Sequence, residues 1–433
     1  MPMSENPVSY VRKELVPEKP APVDIHGPVH WMKENLFSSI PNTILTLIGI
    51  YLIYLLFPPL IKFSLIDAVW HGQDRTACID NDGACWAYVR AYFSQFVYGR
   101  YPVEEIWRVN IVFVVGIIGL VPALMPTLPF KRENVLFMLI VFPVMTFILL
   151  TGGNLSFENY LVEYTILFAI VLGLAALVSK ATHSPMKAIL LVLGGIGIAA
   201  AVIFGIMSID FGLVPVETAQ WGGFLVTLVI AITGIVASLP LGIALALGRR
   251  SKMPVVRLVS IIFIEFWRGV PLITVLFMSS VVLPLFLPEG VNFDKLLRAL
   301  IGVALFSAAY MAEVVRGGLQ AIPKGQYEGA DALGLTFWQS TGLIIMPQAL
   351  KLVIPGIVNT FIGLFKDTTL VLIIGLFDLL GQVQTSFTDP TWSTPTTSHT
   401  GYLFAAIVFW VFCFSMSRYS IFMENRLHTG HKR

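Results

Sequence analysis

Ten long apolar stretches constrain this chain more than any other feature of its sequence. A helix needs about 20 apolar residues to cross the hydrocarbon layer of a bilayer. Stretches of this kind occupy residues 42–66, 107–129, 135–151, 161–179, 188–208, 220–247, 254–287, 296–321, 347–374 and 401–423. Charged residues make up only 12% of the 433 residues, against roughly 25% in soluble domains. We therefore predict an all-α, polytopic membrane protein with about ten transmembrane helices, which excludes a soluble fold.

The lysines and arginines predict which loops face the cytoplasm, because cytoplasmic loops accumulate positive charge. The loops at 152–160, 209–219 and 375–400 contain no lysine or arginine, whereas each loop that alternates with them contains at least one lysine. The first 39 residues are polar and proline-rich and show no signal-peptide pattern. We therefore expect residues 1–39 to form a cytoplasmic tail and both termini to lie in the cytoplasm.

This orientation places the loop 67–106, with Cys78 and Cys85, outside the membrane. Compartments outside the cytoplasm are oxidising, so a disulfide between these two cysteines is expected, and two free thiols are the alternative. The third cysteine, Cys413, lies in the last apolar stretch and is expected to pack against lipid or other helices.

Several kinds of chemistry lack the residues that they need. The formal net charge is only +2, which does not favour nucleic-acid binding. No cysteine and histidine cluster has the spacing of a zinc site, and no Gly-rich phosphate-binding loop is present. We therefore expect no catalytic residues, no metal and no cofactor in this chain, and no ATP hydrolysis by it.

The spans fall into two blocks, between which no repeat is visible. Residues 40–208 form an N-terminal transmembrane extension of five spans, and residues 209–433 form a second block of five spans. The second block contains the segment 322–347, whose sequence predicts two short helices, over 326–333 and 337–345. Glu328 and Asp331 are expected in the first turns of the first helix, where the helix dipole favours anions. Gly334 would end that helix with a positive φ, giving a rigid protrusion that fits a groove on another protein.

The same segment resembles the EAA loop of ABC importer permeases. That pattern is Glu-Ala-Ala, three residues, Gly, nine residues, Ile, one residue and Leu-Pro. All spacings agree here, with Gly329 in place of the first Ala and Met346 in place of Leu. The resemblance implies that this segment is the coupling helix that docks on an ATPase subunit, through Glu328, Gly329, Ala330, Gly334, Ile344, Met346 and Pro347.

Flanking segments resemble the polar amino-acid branch of these permeases. They are Glu265–Leu272, Tyr310–Pro323 and Lys366–Leu370, read as EFWRGVPL, YMAEVVRGGLQAIP and KDTTL. The extension is further similar to the M subunit of general L-amino-acid permeases of the Aap/Bzt type. The resemblance implies a type I importer-like core of five helices plus the extension, in a bacterial inner membrane. It also implies an L-amino-acid permease function, with a related second permease, two ATPase subunits that bind ATP and Mg, and a periplasmic amino-acid-binding protein.

Glu265 and Arg268 are candidate translocation-path residues, because charges inside a span are costly and default to functional candidates. They are three residues apart on one predicted helix and can face the same side. Such a pair could hold both charges of a zwitterionic amino acid. The alternative, which the residues favour, is a mutual ion pair that stabilises the helix bundle.

Two further charged pairs lie in the second block. Lys366 and Asp367 fall near the outer end of the ninth span, beyond a break expected at Pro355-Gly356. They are candidates for an outer gate or for binding the partner, or for side chains that extend to the membrane surface. Glu313 and Arg316 lie near the cytoplasmic end of the eighth span and are expected to be structural or to line an interface.

Two other classes of function compete with the importer hypothesis. The first is a secondary transporter driven by an ion gradient, since five plus five spans are compatible with an inverted repeat. The second is a structural or sensory membrane subunit that moves no solute. The absence of a motif shared by the two halves argues against the secondary transporter.

Overall fold

A computed structural model describes residues 27–125, 127–153, 186–286 and 294–427. Within these ranges the chain is helical, and the only β-type pairing is isolated bridges. Short π-helical segments continue several of the helices, for example at 62–66 and 341–345. The helices are α1 Pro28–Asn35, α2 Ile40–Ile61, α3 Trp86–Tyr98, α4 Ile106–Leu124, α5 Lys131–Leu136, α6 Phe142–Thr151, α7 Met186–Met207, α8 Gly223–Arg249, α9 Pro254–Gly269, α10 Leu272–Phe277, α11 Lys295–Ala321, α12 Lys324–Ala332, α13 Phe337–Ser340, α14 Met346–Asp367, α15 Leu379–Thr385 and α16 Thr397–Leu427.

Seven helical segments of the described chain are long and apolar enough to cross a membrane. They are Ile40–Ile66, Val103–Leu124, Lys131–Thr151, Gly223–Arg249, Lys295–Ala321, Phe337–Ile374 and Thr397–Leu427. A bent pair of helices in the region of the predicted seventh span makes an eighth candidate. Helix α7 covers most of the predicted fifth span, and the predicted fourth span, 161–179, lies outside the described residues. The prediction of an all-α polytopic membrane protein is confirmed.

The predicted seventh span is not one straight helix. Helices α9 and α10 meet at an angle of 102°. Pro271 follows the last helical residues, and the backbone of Val270 is extended, with ψ of 134°. A proline disfavours the helical conformation of the residue before it, so the chain turns at this point.

The break expected at Pro355-Gly356 is absent. Helix α14 runs without interruption from Met346 to Asp367 with Pro355 in its interior. Transmembrane helices tolerate an internal proline when neighbouring helices hold the segment in place. Helix α11 lies close enough for that role, since a Cβ added at Gly356 would come within 3.1 Å of the Val314 side chain.

The described residues divide into two compact units. The smaller unit comprises 27–68 and 81–84 and contains α1, α2 and the π turn that follows α2. Within it, the backbone N–H of Ala84 donates to the carbonyl of Phe63 at 2.8 Å, and Lys62 forms an ion pair with Asp67 at 3.7 Å. The larger unit comprises 69–80 and the described residues from 85 onwards.

Helices α8, α11 and α14 form the centre of the larger unit. Helices α8 and α11 run parallel and approach closely, because a Cβ at Gly242 would lie 2.7 Å from the Met311 side chain. Helix α14 runs antiparallel to α11, and a Cβ at Gly318 would lie 2.6 Å from the carbonyl oxygen of Ala349. Small residues let membrane helices pack backbone to backbone in this way.

The larger unit has two distinct ends. At the first, which we call the disulfide end, α8 and α11 begin and Cys85 donates its backbone N–H to Thr400 Oγ1 at 2.9 Å. At the second, the elbow end, α8 finishes at Arg249 and α11 leads into α12.

A junction at the disulfide end joins the segment after α3 to the start of α8. Arg100 donates its backbone N–H to the carbonyl of Gln220 at 3.0 Å, and Gly223 donates its backbone N–H to the carbonyl of Phe377 at 2.8 Å. Gly99 has φ of 70°. A Cβ built on Gly99 would lie 2.3 Å from the Cα of Gly222, so the two backbones approach as closely as glycine permits.

Candidate functional sites

The segment 324–345 forms two short helices joined by a glycine turn, and we call it the elbow. Helix α12 ends near Gly334, whose φ is 70°. The backbone N–H of Gly334 donates to the carbonyl of Asp331 at 2.9 Å, and that of Leu335 donates to Ala330 at 3.2 Å. Thr336 then caps α13 through a reciprocal hydrogen bond with Gln339. The geometry agrees with the helix, glycine and helix order that the sequence predicts.

One detail of the predicted elbow is wrong. Helix α12 begins at Lys324, two residues earlier than expected, so Glu328 and Asp331 lie beyond the first turn. The first turn contains no acidic residue. The effect of the helix dipole falls off within one turn, so it does not account for these two carboxylates.

The elbow is anchored from one side by contacts that the motif does not contain. The Tyr327 hydroxyl donates a hydrogen bond to the carbonyl of Leu319 at 3.0 Å. Arg250 lies over the Tyr327 ring at 5.4 Å and donates to the same Leu319 carbonyl at 3.0 Å. These contacts tie α12 to the ends of α8 and α11, and sequence reasoning missed them because Arg250 lies 77 positions before Tyr327.

The other side of the elbow exposes large apolar side chains. Their exposed fractions are 75% for Leu333, 61% for Phe337, 73% for Trp338 and 72% for Leu343. Apolar patches of this kind, in a segment held rigid by its own caps and anchors, typically mark an interaction surface.

The seven residues of the motif differ in their burial. Ala330 and Met346 are buried, Ile344 is half-buried, and Glu328, Gly329, Gly334 and Pro347 are exposed. The buried residues hold the elbow against the helix bundle. The exposed ones are available to a partner.

Five charged side chains meet towards the elbow end, and we call them the arginine–glutamate cluster: Arg249, Glu265, Arg268, Glu313 and Arg316. Glu313 is its centre, with guanidinium nitrogens of Arg316 at 2.5 Å, Arg249 at 3.0 Å and Arg268 at 3.8 Å. Arg249 also pairs with Glu265 at 2.8 Å. Three cations and two anions leave the cluster with one excess positive charge.

The mutual ion pair expected between Glu265 and Arg268 is absent. Glu265 pairs with Arg249 of α8, whereas Arg268 is shared between Glu313 and the face of the Tyr310 ring, at 5.8 Å. Spacing along one helix identifies neighbours on that helix only. Here the stronger partners come from α8 and α11, which approach α9 from the side.

Lys366 and Asp367 lie apart from this cluster. They occupy the last turn of α14, at the opposite end of that helix from the elbow, and both are exposed. The structure therefore does not combine the four candidate translocation-path residues into one site. It brings two of them into the arginine–glutamate cluster and leaves two near the disulfide end.

Cys78 and Cys85 form a disulfide with their Cα atoms 5.8 Å apart, and both residues are buried. The Tyr88 hydroxyl hydrogen-bonds with Ser386, and burial raises the pKa of Tyr88 to about 12. Tyr92 donates to Asp389, which holds the pKa of that carboxyl below its ordinary value. Helix α3 is thereby fixed to the loop after α15.

Comparison with known proteins identifies relatives over the whole length of the chain. The family described as binding-protein-dependent transport system inner membrane component matches residues 238–428. The inner membrane amino-acid ABC transporter permease protein YhdY of Escherichia coli K12 is 46% identical over 414 residues, covering 96% of this chain and 97% of that protein. The glutamate/glutamine/aspartate/asparagine transport system permease protein BztC of Rhodobacter capsulatus is 44% identical over 436 residues, covering 98% and 99%.

Shorter relatives match a part of the chain. The probable glutamine ABC transporter permease protein GlnP of Bacillus subtilis is 36% identical over 164 residues, covering 38% of this chain and 74% of that protein. Among solved structures, a crystal structure of an amino acid ABC transporter with histidines is similar at 29% identity with a TM-score of 0.42. That similarity covers 47% of this chain and 92% of the other.

Proposed function

This chain belongs to the inner-membrane permeases of binding-protein-dependent transport systems, and on that premise we propose that it carries L-amino acids inward as one subunit of an ATP-driven ABC importer. It is a permease subunit and not an enzyme, and ATP is used by partner subunits. The proposal that the substrates are amino acids is supported by the 46% identity to an amino-acid ABC permease over 96% of the chain. The full-length relationship to ABC permeases also argues against the secondary transporter.

The elbow is the proposed contact with an ATPase subunit. Its exposed apolar side chains, among them Leu333 and Trp338, supply area that a groove on the ATPase would bury. Its anchor at Tyr327 would pass movement of the ATPase to α8 and α11. ATP and Mg bind in the ATPase subunits, one of which would dock on each permease of the complex.

The remaining partners and the orientation follow from this arrangement. A related permease chain would complete the translocation pathway, and a periplasmic amino-acid-binding protein would deliver substrate at the disulfide end. The elbow end and both termini would then face the cytoplasm of a bacterium, and the disulfide would lie in the oxidising periplasm. We assign residues 209–433 to the permease core, with 322–347 as its coupling segment, and residues 40–208 to an added extension.

The arginine–glutamate cluster is the proposed charged part of the translocation pathway. Glu265 and Arg268 are both partly exposed and belong to different ion pairs of the cluster, so each can exchange partners as the helices move. Lys366 and Asp367, exposed at the end of α14, are assigned to the outer part of the pathway.

Reconstitution tests this function directly. The assembled complex of both permeases, the ATPase and the binding protein is placed in proteoliposomes with ATP inside and a labelled amino acid outside. Glutamate, glutamine, aspartate and asparagine, named for the Rhodobacter relative, are the first substrates to test. Uptake that requires ATP supports the proposal. Uptake by the lone chain driven by an ion gradient, or no uptake of any amino acid by an active ATPase complex, contradicts it.

A further inference from the structure

An open cavity of about 640 Å³ lies at the disulfide end, beside α3 and the first turns of α16. Its described wall contains four aromatic residues, one aliphatic residue, a histidine and an arginine: Trp70, Trp86, Phe93, Phe404, Val89, His71 and Arg90. All of them belong to the larger unit, and none belongs to the elbow or to the arginine–glutamate cluster.

One face of α3 supplies more than half of this wall. The wall residues of α3 occupy positions 86, 89, 90 and 93, a spacing of three and four that places them on one side of the helix. The opposite side carries Tyr88 and Tyr92, whose hydroxyls hydrogen-bond with Ser386 and Asp389. Helix α3 is therefore fixed on one side and presents the cavity on the other.

The aromatic walls consist of rings that contact each other in pairs. Trp70 stacks on Trp86 with the ring centroids 5.7 Å apart and 18° between the planes. Phe93 meets Phe404 edge-on at 6.5 Å, which joins α3 to α16. Trp70 and Phe93 are nevertheless 50% and 53% exposed, so the cavity presents apolar surface to an occupant.

The length of α16 indicates the depth of the cavity in the membrane. Helix α16 has 31 residues, about 46 Å at 1.5 Å per residue, so when centred it extends about 8 Å beyond each side of a hydrocarbon layer about 30 Å thick. Phe404 lies about 10 Å from the first residue of α16, Thr397, and thus at the edge of the hydrocarbon layer. Helix α3 begins beside Thr400, at headgroup depth, where tryptophan is enriched in membrane proteins.

An apolar stripe on α16 leads from the cavity towards the middle of the membrane. Ile407, Val411 and Phe414 follow Phe404 at helical spacing and share its side of the helix. Their exposed fractions are 44%, 45% and 48%. This stripe is a surface along which an acyl chain can lie.

Arg90 supplies the charge that a headgroup would meet. Its guanidinium donates to Nδ1 of His71 at 3.3 Å, and no carboxylate is among the described residues that line the cavity. A phosphate can accept further hydrogen bonds from this guanidinium. The ammonium group of a zwitterionic lipid would find no carboxylate in the wall, so the wall favours a headgroup with a net negative charge.

We propose that this cavity binds one anionic phospholipid of the leaflet at the disulfide end, with its phosphate on Arg90 and an acyl chain along the stripe of α16. The lipid would join α3, which belongs to the extension, to α16, which belongs to the core. A soluble protein is a poorer occupant, because the stripe continues below the headgroups. A free phosphate is also poorer, because it would leave the aromatic walls uncovered.

Lipid binding by the purified complex tests the proposal. The complex is titrated in detergent with dioleoyl phosphatidylglycerol or dioleoyl phosphatidylcholine, and bound lipids are counted by native mass spectrometry. We expect phosphatidylglycerol to bind about fivefold more tightly than phosphatidylcholine, the effect of one basic residue beside an anionic headgroup. Arg90→Gln should remove that preference, and Phe93→Ala, which opens the wall and keeps the charge, should weaken the binding of both lipids.

Arg100→Gln is the matched control, since Arg100 is an exposed arginine soon after α3 that does not line the cavity. It should keep the binding of phosphatidylglycerol within about twofold of wild type, as a surface substitution away from the site does. Equal binding of the two lipids by wild type, or equal loss in Arg90→Gln and Arg100→Gln, overturns the proposal. Full displacement of the lipid by millimolar glycerol 3-phosphate also overturns it, because the site would then recognise a phosphate without acyl chains.

Photo-crosslinking in native membranes distinguishes a lipid from a protein occupant. Phe93 is replaced by p-benzoylphenylalanine, and the complex is irradiated and analysed by mass spectrometry. We expect an adduct with the mass of a phospholipid. An adduct with the binding protein or with the second permease, in place of the lipid, overturns the proposal.

Discussion

Replacing Gly334 with valine tests whether the elbow must keep its left-handed residue in order to bind an ATPase. A Cβ at this position meets nothing within 4 Å, so the substitution creates no clash and acts through the backbone alone. Holding an L-residue at a φ of 70° costs about 1–2 kcal/mol, and that conformation is the one observed here. The equilibrium constant for this elbow geometry should fall about 5- to 30-fold, and the apparent affinity for the ATPase should fall by up to the same factor.

The assay is a titration of the ATPase subunit against the permease pair in nanodiscs, followed by amino-acid uptake by the complete complex in proteoliposomes. Gly342→Val is the control, because its Cβ is equally unobstructed and Gly342 lies within the helical segment Thr341–Ile345. Gly334→Asn should recover part of the affinity, since asparagine tolerates the left-handed region. Wild-type affinity and uptake in Gly334→Val would refute the reasoning.

Three further predictions concern stability and coupling. Glu313→Gln removes the carboxylate that pairs with three arginines. Because each partly exposed pair contributes up to about 1 kcal/mol, we expect a lower thermal midpoint and slower uptake. An unchanged thermal midpoint would contradict this prediction. Burial raises the pKa of Asp378 to about 6, so its contribution to stability is full below about pH 4 and is lost as pH rises through 6. The stability of Asp378→Asn relative to wild type should therefore increase as pH rises across that range, by about 1.4 kcal/mol per unit of pKa shift. Thermal midpoints of both proteins at pH 4.5 and 7 would show this increase. Cys78→Ser with Cys85→Ser should cost about 2 kcal/mol and expose the loop 67–106 to limited proteolysis, and equal cleavage of reduced and oxidised wild type would contradict it.

Local features of this fold could be predicted from the sequence. Span lengths depend on runs of apolar residues, and the elbow depends on a glycine, a capping threonine and good helix formers within a few positions of each other. Gly334 illustrates this, because a single residue with a positive φ ends one helix and sets the direction of the next. Such features do not depend on the rest of the molecule.

Features that depend on packing between helices were predicted poorly. Glu265 was expected to pair with Arg268 and instead pairs with Arg249, because the sequence does not show how α8 and α9 approach each other. Pro355 was expected to break a helix that its neighbours keep intact. The anchor between Arg250 and Tyr327 was missed for the same reason.

The close approach of Gly99 to Gly222 limits how this polypeptide could be shortened. Deleting residues 1–208, to imitate the smaller permeases, would remove the Arg100 N–H that donates to the carbonyl of Gln220 and would uncover Trp221, which is now buried. Polar backbone groups would then face an unfilled gap, and each would need water or a replacement loop to satisfy it. A minimal version would therefore require a redesigned rim, and simple truncation should yield insoluble or misassembled product.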